Sequence, residues 1–171
     1  MPDGCMSTNE ASWSSEGAFL GPSEFAEAVR QGIDLAGLEG WSQMVWVDVD
    51  FADWPLREKA VIESLQRWVK PGRRLTMIAK RYNQVTLLHP RFVQWRVTWG
   101  HLLDCRVVKH LDDSEMPSAL LGPAWFLHRR DAERSVGVWS REPRSKLNLK
   151  ESVDECFRQS SPGFPASVLG L

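Results

Sequence analysis

Apolar and polar positions alternate along the chain in two periods. The segment MVWVDVDF (44–51) alternates with period two. Val45, Val47, Val49 and Phe51 point one way; Met44, Trp46, Asp48 and Asp50 point the other, as on a β-strand. Its first half is apolar on both faces, as in a strand covered on both sides. Before it, Ser23 caps a helix in which Phe25, Val29, Ile33 and Ala36 share a face, ended by Gly37 and Gly40. After it, Asp53 as N-cap and Pro55 in the first turn predict a helix over 54–70, with Val61, Ile62, Leu65, Trp68 and Val69 as its buried stripe. A strand LTMIAK (75–80), a helix over 89–103 carrying Phe92, Trp95, Trp99 and Leu102, and a strand CRVVKH (105–110) follow. This βαβαβ order predicts a parallel sheet, because crossovers are right-handed.

The pattern then changes. Past the acidic loop 111–118, ALLGPAWFLH (119–128) and SVGVWSR (135–141) flank a short polar turn and predict antiparallel neighbours. Asn148, with Glu151 three residues on, predicts the start of a last helix. Residues 1–17 are small, polar and aperiodic and read as a disordered lead; 161–171 read as an irregular tail. The expectation is one α/β domain over 18–160, with a mixed, mainly parallel sheet flanked by helices.

Charge sharpens the picture. The total is −1, yet residues 1–53 hold ten acids and one base, and residues 54–110 hold twelve bases and three acids. Either the basic block holds an anion or the acidic segment neutralises it. Nine tryptophans predict a core rich in large anchors. Three widely spaced cysteines, no signal-peptide pattern and no apolar run of membrane-spanning length point to a cytoplasmic protein without disulfides or a membrane span. No nucleotide-binding, P-loop, serine-hydrolase or zinc motif occurs, so no cofactor or metal is expected.

Two groups are candidate ligand-binding residues. Asp48 and Asp50 end a parallel strand on one face, Cα atoms roughly 6–7 Å apart, at the edge where open α/β sheets bind ligands. They suit a divalent cation or an acid–base pair, or else arginine bridges and helix caps. His89 and Arg91 open the third helix and Arg96 lies further along it. They suit an anion such as phosphate at a helix N-terminus, or else bridges from Arg91 or Arg96 to the aspartates. Basic residues scattered over helices and strands, with the tryptophans on a core stripe, argue against nucleic acid.

DVDFADWPL, GRRLTMIAK (72–80), HPRFVQWR (89–96) and the late LLGPAWFLHRR segment together resemble a single phospholipase D-like domain, of the small bacterial branch with a degenerate motif. The family uses His-x-Lys-x4-Asp: the His attacks phosphorus, the Lys holds phosphate oxygens, and two motifs meet at a two-fold or pseudo-two-fold axis. In this chain no His is followed by that Lys and Asp; the motif falls at Glu115, Pro117 and Gly122. The resemblance therefore implies the architecture, a homodimer as one arrangement, and a non-catalytic domain binding a phosphorylated small molecule or a protein partner. The alternative is a phosphodiesterase or metal-assisted hydrolase built from Asp48, Asp50, His89 and Arg91.

Overall fold

The computed structural model describes residues 16–164. Eight strands form one sheet: β1 (Gly17–Leu20), β2 (Gln43–Val47), β3 (Arg74–Ala79), β4 (Leu103–Val107), β5 (Ala119–Leu121), β6 (Phe126–Asp131), β7 (Val136–Ser140) and β8 (Ser161–Pro162). Their spatial order is β1-β7-β6-β5-β2-β3-β4-β8. β2, β3 and β4 are parallel, as the βαβαβ pattern predicts, and every other pairing is antiparallel. β2 is the seam where the parallel and antiparallel halves meet.

The helices are α1 (Pro22–Glu39), α2 (Lys59–Trp68), α3 (Asn83–Leu88), α4 (Pro90–Trp99) and α5 (Pro143–Arg158). α1, α2, α3 and α4 cover one face of the sheet. There Met44, Trp46, Leu75, Met77, Leu120 and Leu127 pack against Phe25, Ile33, Leu65 and Phe92. α5 covers the other face, where Leu149, Val153 and Cys156 meet Val47, Ile78, Leu121 and Phe126. Seven of the eight described tryptophans are buried, and Trp68 donates its indole N–H to the Trp41 carbonyl at 2.8 Å. The bond ties α2 to the loop after α1.

Several boundaries differ from the sequence reading. α2 begins at Lys59, not 54, because Phe51, Trp54 and Leu56 are drawn into the core and hold 51–58 as turns. Phe51 leaves the Val45–Val49 face: the strand ends at Val47, and Phe51 turns back at φ 59 to meet Trp54 edge-on. The helix expected over 89–103 is α4 plus a 3-10 turn at Gly100–Leu102, preceded by the unforeseen α3. Segment 119–128 is two strands broken at 122–125. α5 starts at Pro143, with the Glu142 carboxylate accepting the Arg144 and Ser145 backbone N–H groups, so Asn148 lies inside the helix and caps nothing. Gly17 already belongs to β1 and Ser161 to β8; residues 1–15 of the expected lead and 165–171 of the expected tail lie outside the described residues.

The charge blocks meet at one pair of the expected sense, Asp34 of α1 with Arg67 of α2 at 3.2 Å; Arg30 and Glu58, each against the sign of its own block, pair at 2.7 Å. Lys80 and Arg81 pair instead with Asp113 in the later loop. No helix among the described residues is long and apolar enough to cross a membrane.

Candidate functional site

The sequence marked the turn after β2, and the structure gives each of its polar groups a partner. Asp48 is buried; its Oδ1 accepts from Arg129 at 3.0 Å and its Oδ2 accepts the Phe51 N–H at 2.8 Å. Asp50 accepts the Ala52 N–H at 3.0 Å. Asp53 is not a helix cap; it pairs with the same Arg129 at 3.1 Å. His89 is fully buried between α3 and α4, and its Nε2 donates to the Phe51 carbonyl at 2.8 Å. Burial, first of all, lowers its pKa from the usual imidazole range, and Arg57 adds to this; the bond to Phe51 opposes it. A neutral ring donating through Nε2 fits that position. Asp48 and His89 thus grip the two sides of the left-handed Phe51, a conformation costly for a bulky residue and held by its surroundings.

Arg91 donates to the Arg57 carbonyl at 2.9 Å on the surface, while Arg96 is buried against Phe164 and donates to its carbonyl. Neither reaches an aspartate of the β2 turn. Asp48, Asp50, His89, Arg91 and Arg96 are therefore not brought together in one open pocket. The buried cation beside Asp48 is Arg129, which the sequence reading passed over. It also donates to Ser118 and Ser135, and its guanidinium lies 4.2 Å from the Phe25 ring centroid. A signal was present: Arg129 follows Leu127 with the period of an inward-facing strand residue.

The open site lies on the other face, between β6, the 113–118 loop and α5. It is a cleft of about 1050 Å³, running into a second hollow of about 510 Å³ further along α5. Glu115, Pro117, Asn148 and Ser152 border both, so the two form one groove. The strand alternation that turns Arg129 inward turns His128 and Arg130 into it. Burial, and then the Arg130 cation, lower the His128 pKa, so its imidazole is neutral near pH 7. Six carboxylates (Asp113, Glu115, Asp131, Glu133, Glu151 and Glu155) border the groove against Arg129, Arg130 and Arg158. Several of these charges are already paired: Arg129 with Asp48, Arg158 with Glu155, Asp113 with Lys80 and Arg81, and Asp131 with Arg134, which leaves Glu115, Glu133 and Glu151 against Arg130, a small acidic excess. Among the described residues no three His, Cys, Asp or Glu side chains are placed to share a metal ion.

Two positions at which the resemblance puts catalytic groups fall in this groove, as Glu115 and Pro117. The third, Gly122, is sealed: a Cβ there would stand 2.4 Å from the Trp41 ring.

No family model and no curated protein matches the chain. Solved structures do. TrmBL2, an archaeal chromatin protein described as showing a novel mode of DNA binding, superposes with a TM-score of 0.58 at 15% identity, over 86% of this chain and 53% of that one. The chain thus spans about half of TrmBL2. NucT from Helicobacter pylori superposes at 0.57 and 8% identity, over 87% of this chain and 99% of that one. Phosphatidylserine synthase from Haemophilus influenzae Rd KW20 superposes at 0.50 and 12% identity, over 86% and 39%. At such identities the likeness is one of fold, and the chain has the phospholipase D-like fold: a single α/β domain with a mixed sheet flanked by helices.

Proposed function

We propose that the chain is a non-catalytic phospholipase D-like domain that binds an extended, basic segment of a protein partner along the α5 groove. The observation that carries this reading is the character of the groove: two connected hollows with an excess of carboxylates, bordered by Glu115 and Pro117, the positions to which the resemblance assigns the family's nucleophile and phosphate-holding cation. A carboxylate repels phosphate, and proline brings neither charge nor N–H. Of the two ligands expected from sequence, the phosphorylated one is therefore less suited to this groove than a protein segment. The N-terminus of α5, which would otherwise attract an anion, already holds the Glu142 carboxylate. The hydrolase alternative is weakened because Asp48 and His89 are buried and tied to Phe51 and Arg129, while Arg91 is tied to the Arg57 carbonyl.

Two measurements test this together. Hydrolysis of bis(p-nitrophenyl) phosphate, with and without divalent metal, is expected to stay at background in the wild type, His89→Ala and His128→Ala. Turnover lost in either variant would overturn the non-catalytic reading. Peptides selected from a random display library are expected to be rich in Lys and Arg, and to lose binding to Ser152→Trp, which blocks the shared wall. Selection of acidic peptides, or indifference to that block, would refute the groove.

Nucleic acid is the second reading. TrmBL2 is described as binding DNA, and here Arg57, Lys59 and Arg91 are exposed, Arg91 being tied to the Arg57 backbone. Salt-sensitive DNA binding lost on Arg57→Glu/Arg91→Glu would favour it over the groove.

A further inference from the structure

The far edge of the sheet carries a second site, independent of the groove. After α5 the chain crosses to β4 and lies along its outer edge as a five-residue strap. Arg106 holds Ser160, donating from Nε to the hydroxyl at 2.9 Å and from its terminal nitrogen to the carbonyl at 3.2 Å. Ser161 and Pro162 pair with Val107 and Arg106, and the Gly163 N–H donates to the Cys105 carbonyl at 3.0 Å. Gly163 is required by the approach: a Cβ would stand 2.1 Å from a Val107 methyl. Phe164 then enters a slot. Its ring stacks on Tyr82 at 4.5 Å and 6°, and the Arg96 guanidinium covers it at 4.0 Å. Arg96 also donates to the Phe164 carbonyl.

The slot is better built than the strap that fills it. Tyr82 is fixed from within, its hydroxyl bonded to the Met77 and Arg106 carbonyls. Arg96 is buried, with an Nε that finds no partner. The strap has only two paired residues, both exposed, and Phe164 sits at φ 48, a left-handed conformation that disfavours a bulky side chain. Such a segment is released at low cost. What release uncovers is an unpaired strand edge beside an aromatic slot with a cation, the elements by which extended peptides add to a sheet.

We propose that the β4 edge with Tyr82 and Arg96 is a docking site for an extended peptide bearing an aromatic residue, and that Ser160–Phe164 occupies it as a tethered competitor. The partner's chemistry is that of the strap: a short strand, a glycine where the backbone crosses Val107, and an aromatic ring whose carbonyl faces Arg96. A tethered segment acts at an effective concentration in the millimolar range, so the free site shows only when the tether is weakened.

The test uses the full chain and an amidated, fluorescent peptide of sequence Ser-Pro-Gly-Phe, which omits the residue that Arg106 holds, read by anisotropy. Phe164→Ala empties the slot, and Arg106→Ala frees Ser160 without touching the slot; the second variant decides if the first fails to fold. Either is expected to bind the peptide at least about tenfold more tightly than wild type. Replacing the peptide's Phe by Ala, or adding Arg96→Leu to the chain, is expected to abolish binding. Failure of the folded variants to bind, binding equal to wild type, or binding that survives the loss of the aromatic ring would overturn the proposal.

Discussion

Replacing Arg129 by Met keeps the length of the side chain and removes its charge and its donors. In the native chain Arg129 and Asp48 are 3% and 4% exposed and 3.0 Å apart. The variant leaves the Asp48 carboxylate in the core with the Phe51 and Asp50 N–H groups and no cation. Breaking one side of a buried pair costs about 3–5 kcal/mol, chiefly through the stranded charge. Asp53 adds little, because its own side chain is 59% exposed. For a domain of this size each kcal/mol lowers Tm by roughly 2–4 °C, so Arg129→Met is expected to melt about 6–20 °C below wild type. Asp48→Asn keeps an acceptor for the Phe51 N–H but removes the charge. The double variant is therefore expected to be about 1–3 kcal/mol more stable than the two single losses would sum to. Thermal and urea unfolding of the four proteins measure this cycle. A cost below about 1 kcal/mol for Arg129→Met, or additive losses, would refute the claim that Arg129 balances a buried carboxylate.

Two further outcomes follow from the geometry. Burial depresses the pKa of both His89 and His128, so between the ordinary value near 6.5 and their folded values the unfolded chain binds more protons. Stability is therefore expected to fall as pH drops below about 6.5, before carboxylates titrate; urea midpoints from pH 7.5 to 5 measure it, and His89→Gln should flatten the decline. Gly122→Asp would place the family's acid at the third motif position, but its Cβ meets Trp41; a loss of about 1–3 kcal/mol or more is expected. Full stability on calorimetry would show that the position is open.

The parallel half of the fold was legible because its signals are local and repeated. β2 alternates cleanly, and the stripes of α1 and α2 hold a single face. The start of α2 was misread because Asp53 and Pro55 look like a helix entry, while the gain from burying Phe51, Trp54 and Leu56 is tertiary and outweighs a cap worth about 1 kcal/mol. Asn148 and Glu151 matched a capping pattern, yet Glu142 before Pro143 supplies the cap six residues earlier. Asp48 and His89 were found as unusual residues, but their partners, Arg129 and the Phe51 carbonyl, are 81 and 38 positions away. No spacing rule links them. The groove draws Glu115, His128 and Ser152 from three separate segments, and the strap is too short to show a period.

The placing of β1 has a consequence for how the molecule comes into being. Phe19 is registered opposite Gly137, and α1, which follows β1, packs across β6 and β7 as well as beside α2. β1 therefore has no strand neighbour until β7 has been made. At about 5–20 residues per second, some 118 residues take roughly 6–24 s to be made on a ribosome. Throughout that interval Phe19 and Phe25, fully buried at the end, have nothing of the antiparallel half to cover them. The parallel trio can assemble during synthesis, whereas the final sheet waits on a closure of high sequence separation, the slow kind of contact. A permuted chain that begins at β2 and carries β1 and α1 after residue 171 would shorten the loop to β7, and is the form in which refolding should be fastest.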